Sequence, residues 1–244
     1  MEISEKHLQT FKKIKNLFLK KTIIPKPNNW RSLSANDIWL RIMTQIIIIQ
    51  GADSGIRFNN NMLVQDTVEY EKLAIMNEIE AKETINKALR KIGTRMASSE
   101  IAKCWKTNCL YENLLIIKNS KTGLIGLLHY VTDLAEQGKI DKAIDTMKQF
   151  SGFGDKSARD FLMEYGIIED AIALDVRVVN LLSAVGLQIS EKYKNNTKIY
   201  LDIEQSLLNK VCKPLDIKGI EFDRMIFNHN KDNLLGKAIK QELI

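Results

Sequence analysis

Apolar residues recur at intervals of three and four along almost the whole of this chain, and that periodicity commits it to helices packed on helices. Leu8, Phe11, Ile14 and Phe18 form the first stripe, with Ser4 placed to cap its helix. Pro25 and Pro27 then break the chain. Ser34-Ala-Asn-Asp37 reads as a capping-box variant opening a second helix, which runs to Gln50 and stops at Gly51. A helix over Glu78–Ile92 ends at Gly93. Further helices are expected at 96–110, 121–137, 140–150, 156–165, 176–185, 197–211 and 219–242, the last breaking near Asn230. No period-2 strand, Asn-Gly hairpin or fixed-period repeat competes with this pattern. The expected fold class is all-α, with about ten helices.

Composition narrows the partners. The chain has 244 residues, 45% of them hydrophobic, enough for a substantial core. Lys and Arg outnumber Asp and Glu by 36 to 30, a net charge of +6 that leans mildly toward polyanions. The three cysteines, Cys104, Cys109 and Cys212, match no zinc or iron–sulfur spacing, and their sparse, odd count suits a reducing compartment. His7, His129 and His229 are too scattered for a histidine metal site. The N-terminus is charged from the start, and the longest aliphatic run, Ile46 to Ile49, is far short of a membrane span. A soluble, intracellular protein is expected.

The informative stretch is 140–186. A helix ends at Phe150, a tight turn follows over Ser151-Gly152-Phe153-Gly154-Asp155, and a second helix starts at about Lys156. Two glycines two apart allow positive φ and close backbone approach, and the amides of such a turn can cradle one phosphate. Phe153 is expected to tuck inward and pin the turn. A simple interhelical turn fits the glycines equally well. Lys156 falls in the first turn of its helix, where the macrodipole opposes an ammonium and favours the neutral amine that attacks carbon. A solvated or phosphate-touching lysine is the plainer reading. Asp175 ends the apolar run Ala171-Ile-Ala-Leu174 and opens the next helix. It reads as an N-cap, which would also hold its carboxylate rigidly.

Together, Gly152-Phe-Gly154-Asp-Lys156 and, nineteen residues after the lysine, Asp175-Val-Arg177 resemble the helix-hairpin-helix–Gly/Pro/Asp superfamily of base-excision DNA glycosylases. The 8-oxoguanine branch is the most similar, with endonuclease III nearly as close. The family's usual proline before the first glycine is Ser151 here. A lysine at the turn implies a glycosylase that also cleaves the strand. The resemblance therefore assigns Lys156 as amine nucleophile and Asp175 as essential carboxylate, with Gly152, Phe153, Gly154 and Arg177 at the DNA backbone. Upstream, Ile46-Ile-Ile-Ile-Gln50-Gly-Ala-Asp53 resembles the endonuclease III segment whose glutamine fills the gap left by a flipped base. Gln50 is then a candidate wedge, although an ordinary polar residue at a helix end fits as well. Near the C-terminus, Gly219 to Phe227 resembles a pocket-lining helix of archaeal 8-oxoguanine glycosylases, and a core helix with an exposed ion pair explains it equally. Asp223 and Phe227 thus join Asp160 as candidate pocket residues. Asp160 stands four residues after the lysine, where the eukaryotic enzymes carry cysteine.

What the resemblance implies is two helical subdomains with a cleft between them. One covers 35–165 and ends in the hairpin; the other combines 1–34 with 166–244. The implied activity is removal of 8-oxoguanine from duplex DNA, followed by β-elimination through a lysine Schiff base. No metal or organic cofactor is needed, and the missing four-cysteine cluster favours the cluster-free branch. The implied partner is damaged double-stranded DNA, bound by a monomer without membrane or obligate protein partner, in the nucleoid-containing cytoplasm of a prokaryote. The rivals are an oxidised-pyrimidine glycosylase/lyase of the endonuclease III kind, a non-catalytic helix-hairpin-helix module, and a helical protein matching by chance.

Overall fold

A computed structural model describes residues 1–95, 97–233, 235–237 and 239. Among these residues every regular element is helical. The α-helices are α1 (Glu5–Phe18), α2 (Ala35–Ile47), α3 (Ala52–Asn59), α4 (Met62–Gln65), α5 (Tyr70–Ile75), α6 (Glu78–Lys91), α7 (Trp105–Asn119), α8 (Gly123–Glu136), α9 (Ile140–Met147), α10 (Asp155–Glu164), α11 (Val176–Ala184), α12 (Thr197–Leu207) and α13 (Gly219–His229). No described helix is long and apolar enough to cross a membrane.

Three of the expected helix starts carry the side-chain cap that the sequence suggests. Ser4 accepts the His7 amide at the head of α1. Ser34 and Asp37 close a reciprocal box at α2, and Asp175 caps α11. In each case a short acceptor satisfies an amide that has no intrahelical partner. Of the helix expected at 96–110, only 105–110 is α-helical, as the first part of α7. Met96 lies outside the described residues, 97–104 runs as irregular chain and a 3-10 turn, and α7 begins only at Trp105. Asn86 explains the detour, since its buried amide donates to the Ser98 carbonyl at 2.9 Å and holds that loop off the helical path. Helices α3, α4 and α5 were not anticipated; at four to eight residues they carry too little periodicity to read. After α13 the chain does break at Asn230, and a 3-10 turn follows at Lys231–Asn233. Of the rest of the expected 219–242 helix, 234, 238 and 240–242 lie outside the described residues.

Contacts divide the chain into two units, residues 29–154 and residues 1–28 with 155–244. The cuts fall at 28/29 and 154/155 rather than at 34/35 and 165/166. The physical reason lies in α10: Asp155 accepts from Thr197, Arg159 pairs with Glu204, and Asp160 pairs with Arg224, so that helix is bound to the second unit.

In the 29–154 unit, α2 is the central helix. It buries Ile38, Trp39, Ile42, Met43, Ile46 and Ile47, and packs against α3, α5, α7 and α8. The Trp39 indole N–H finds the Val68 carbonyl at 2.9 Å, which lets so large a ring be fully buried. The other unit is built around the irregular segment 171–174, with Ile172 and Leu174 in its core. Phe11 and Ile14 of α1, Leu181 of α11, Leu207 of α12 and Phe222 of α13 close over it.

Candidate active site

The turn at 150–154 is built by one glycine, not two. The Phe153 amide donates to the Phe150 carbonyl at 3.0 Å, and Gly152 has φ of +81°, the geometry of a type II turn with glycine in its third position. A Cβ on Gly152 would lie 2.6 Å from Ile46 Cδ1, so both its conformation and its surroundings demand glycine. Gly154 lacks both features: its φ is not positive, and a Cβ there would meet nothing of the chain within 4 Å. Phe153 does tuck inward, with its ring centroid 5.8 Å from that of Phe150.

The turn is fixed by a residue the sequence did not single out. Asn113 on α7, fully buried, accepts from the Ser151 amide at 2.6 Å and donates to the Ser151 carbonyl at 3.0 Å. A proline at this position could not donate that first bond.

Gln50 also sits in an unanticipated backbone state. Helix α2 ends at Ile47, and Gln50, not Gly51, is left-handed, at φ of +61°. Such a conformation costs a non-glycine residue roughly 1–2 kcal/mol and needs support. Lys106 supplies it: its buried ammonium donates to the carbonyls of Ile47 at 2.8 Å and Ile49 at 2.6 Å, capping the end of α2. Burial pushes the Lys106 amine below its ordinary value. Arg95 takes the Gln50 carbonyl at 3.3 Å, and the Gln50 side chain is exposed.

In the other unit, Lys156 lies in the first turn of α10 with its side chain 40% exposed. The Asp160 carboxylate, one turn on, is 3.7 Å from its Nζ. Asp175 Oδ1 accepts from the amides of Arg177 at 2.8 Å and Val178 at 3.0 Å, so the carboxylate is held rigidly with one oxygen in the cap. Arg177 stands 3.7 Å from the other oxygen, Oδ2, and its guanidinium lies over the Phe227 ring at 4.1 Å.

The pocket candidates Asp160, Asp223 and Phe227 meet around Arg224. Its Nη2 is 3.0 Å from Asp160 Oδ1, its Nε is 4.0 Å from Asp223 Oδ2, and its guanidinium carbon is 5.5 Å from the Phe227 centroid. The Asp223–Arg224 pair is buried, which overturns the reading of an exposed ion pair on this helix. Burial raises the Asp223 carboxyl to about 7, with Arg224 acting against the shift.

The approach to Asp175 is built from side chains. Segment 171–174 has no helix or strand to satisfy its amides, so three buried groups do so one by one. Glu204 Oε1 takes the Ile172 amide at 2.9 Å, Asp223 Oδ1 takes that of Ala173 at 2.8 Å, and the Tyr200 hydroxyl takes that of Leu174 at 2.8 Å. The same hydroxyl donates to the Ile172 carbonyl at 3.0 Å. The sequence did carry a signal for Glu204: it stands in the apolar stripe Tyr200, Ile203, Leu207, where a charge requires a buried partner.

The fold and this site define a helical protein with a glycine-turn hairpin, a half-exposed lysine at the helix head after it, and a capping aspartate nineteen residues on. No family model and no curated protein matches the sequence. Among solved structures, the 8-oxoguanine DNA glycosylase of Thermotoga maritima matches with a TM-score of 0.62 at 19% identity, over 94% of this chain and 96% of that one. The Methanocaldococcus jannaschii 8-oxoguanine DNA glycosylase matches at 0.61 and 18%, over 92% and 94%. The Methanocaldococcus jannaschii 8-oxoguanine glycosylase/lyase in complex with a 15mer DNA containing 8-oxoguanine matches at 0.59 and 16%, over 90% and 94%. The chain therefore has the fold of these proteins, as the sequence led one to expect.

Proposed function

We propose that this chain is a base-excision DNA glycosylase with β-elimination lyase activity, acting on 8-oxoguanine in duplex DNA. The observation that carries the reading is Lys156, a half-exposed amine at the head of α10, in the same unit as the rigidly capped Asp175. Both stand on a fold shared with 8-oxoguanine glycosylases. A base stacked in a duplex hides its glycosidic carbon, so the damaged nucleotide has to be flipped out. Gln50, on its cation-supported loop, is the group suited to fill the vacancy. The turn at 151–154 suits a backbone phosphate, since Gly154 leaves open space above it.

The Lys156 amine attacks C1′, and the bond from C1′ to the base breaks with its electron pair leaving on the base. Asp175 stabilises the positive charge that develops on the sugar and assists proton transfer. The attached amine gives up its proton and the C1′–O4′ bond opens, O4′ leaving as a protonated hydroxyl, which produces the Schiff base. A C2′ proton then passes to solvent, and its electron pair expels the 3′-phosphate by β-elimination. The enzyme is read as a monomer of the prokaryotic cytoplasm, where the DNA lies.

Borohydride trapping on duplexes carrying 8-oxoguanine, thymine glycol, uracil or an abasic site tests the reading. A covalent adduct with 8-oxoguanine DNA that is lost in Lys156→Gln is expected. Trapping on pyrimidine lesions alone would keep the mechanism and move the specificity. Tight DNA binding without any adduct would leave a binding module in place of an enzyme.

A further inference from the structure

Arg159 lies three residues after Lys156 on α10 and is 1% exposed. Its Nε reaches both oxygens of Glu204, at 2.8 and 2.9 Å, and its Nη2 lies 2.8 Å from Oε2. Its Nη1 donates back to the Asp155 carbonyl at 2.9 Å, and its guanidinium carbon lies 4.6 Å from the centroid of Tyr200. Glu204 and Tyr200 hold the Ile172 amide, the Leu174 amide and the Ile172 carbonyl. One guanidinium therefore joins the lysine's helix to the two side chains that suspend the segment ending at Asp175.

Stability alone is a weak reason for such a pair. Desolvating two charges consumes most of their attraction, and apolar replacements of similar size are often no less stable. A planar, multiply bonded guanidinium adds directional constraint instead. The proposed chemistry needs that constraint, because a misplacement of about 1 Å between reacting groups can cost roughly a hundredfold in rate.

We infer that Arg159 and Glu204 are positioning residues, a buried strut that sets where the Lys156 amine stands relative to the Asp175 carboxylate. The inference rests on the proposed glycosylase/lyase reading. It extends the machinery to two residues buried in the interior of their unit.

The test is the double variant Arg159→Met with Glu204→Gln. It removes the ion pair and keeps an acceptor for the Ile172 amide. Single-turnover base release and borohydride trapping are measured on 8-oxoguanine duplex, well below the melting temperature and at saturating protein. The expected result is a folded protein whose lesion-duplex Kd stays within about threefold, while both chemical rates fall about tenfold or more. Arg159→Lys, which keeps the charge but loses the fork, provides a second folded variant with the same expected split between binding and rate. Wild-type rates in the folded double variant, or in Arg159→Lys should the double variant not fold, would overturn the strut while leaving the enzyme reading intact. Absence of trapping by the wild-type protein itself would overturn the enzyme reading and the strut with it.

Discussion

Asn113 holds both backbone groups of Ser151, accepting from its amide at 2.6 Å and donating to its carbonyl at 3.0 Å. A buried side chain thereby does what a proline does elsewhere: it stiffens the entrance to a glycine turn. Placing a proline at 151 should consequently harm this protein. Ser151→Pro deletes the donated hydrogen and leaves Asn113 Oδ1 buried without a donor, a loss of about 1–3 kcal/mol. Chemical denaturation should show that drop, and an unchanged or raised midpoint would sink the argument. Asn113→Ala, which strands both backbone groups, should cost more and also weaken duplex binding in an anisotropy titration.

Asp175 caps α11 and is the carboxylate assigned to the chemistry, and the two roles separate by substitution. Asn caps a helix nearly as well as Asp. Asp175→Asn should therefore leave the melting temperature almost unchanged while base release slows by about a hundredfold or more. Asp175→Ala should lose the same activity and also about 1 kcal/mol of stability. Near-normal single-turnover rates in Asp175→Asn would remove the residue from the mechanism.

Lys106 supports the loop that carries Gln50. Lys106→Met leaves the carbonyls of Ile47 and Ile49 without their donor, at about 1–3 kcal/mol for each group that stays dry. If the loop serves to fill the gap left by a flipped base, the variant should excise poorly from a paired duplex. It should be much less impaired on the same lesion placed in an unpaired bubble, where no gap needs filling. Equal losses on the two substrates would show Lys106 to act on folding alone.

The Asp223 carboxyl gives the stability a pH dependence of definite sign. The folded protein keeps its proton up to about 7, whereas the free side chain releases it near 3.8, burial being the main cause. Between those values the folded state binds more protons than the unfolded state, so this contribution falls as pH rises through the window. It is intact below the window and fully lost above it, at roughly 4 kcal/mol for a shift of this size. Asp223→Asn retains an acceptor for the Ala173 amide and removes the titration. Its unfolding free energy, measured from about pH 4 to pH 8, should decline less steeply than that of the wild type.

Local chemistry made much of this legible in the sequence. The apolar stripes defined the helices, and short acceptors at Ser4, Ser34 and Asp175 marked where three of them start, because a cap acts over three residues of chain. Likewise the glycines, Lys156 and Asp175 stand close enough in sequence to be read as one pattern. The short helices α3 to α5 and the detour before Trp105 escaped, since four to eight residues hold too little period and the Asn86 contact to Ser98 spans twelve positions.

Only the tertiary structure decided what supports the site. Asn113 reaches Ser151 across 38 residues, Lys106 reaches Ile47 across 59, Arg159 reaches Glu204 across 45 and Asp223 reaches Ala173 across 50. Each is a polar group paired with a buried partner that no local pattern specifies. An unpaired group in a core is costly, so the sequence requires that a partner exist. Which residue it is depends on where packing brings distant helices together.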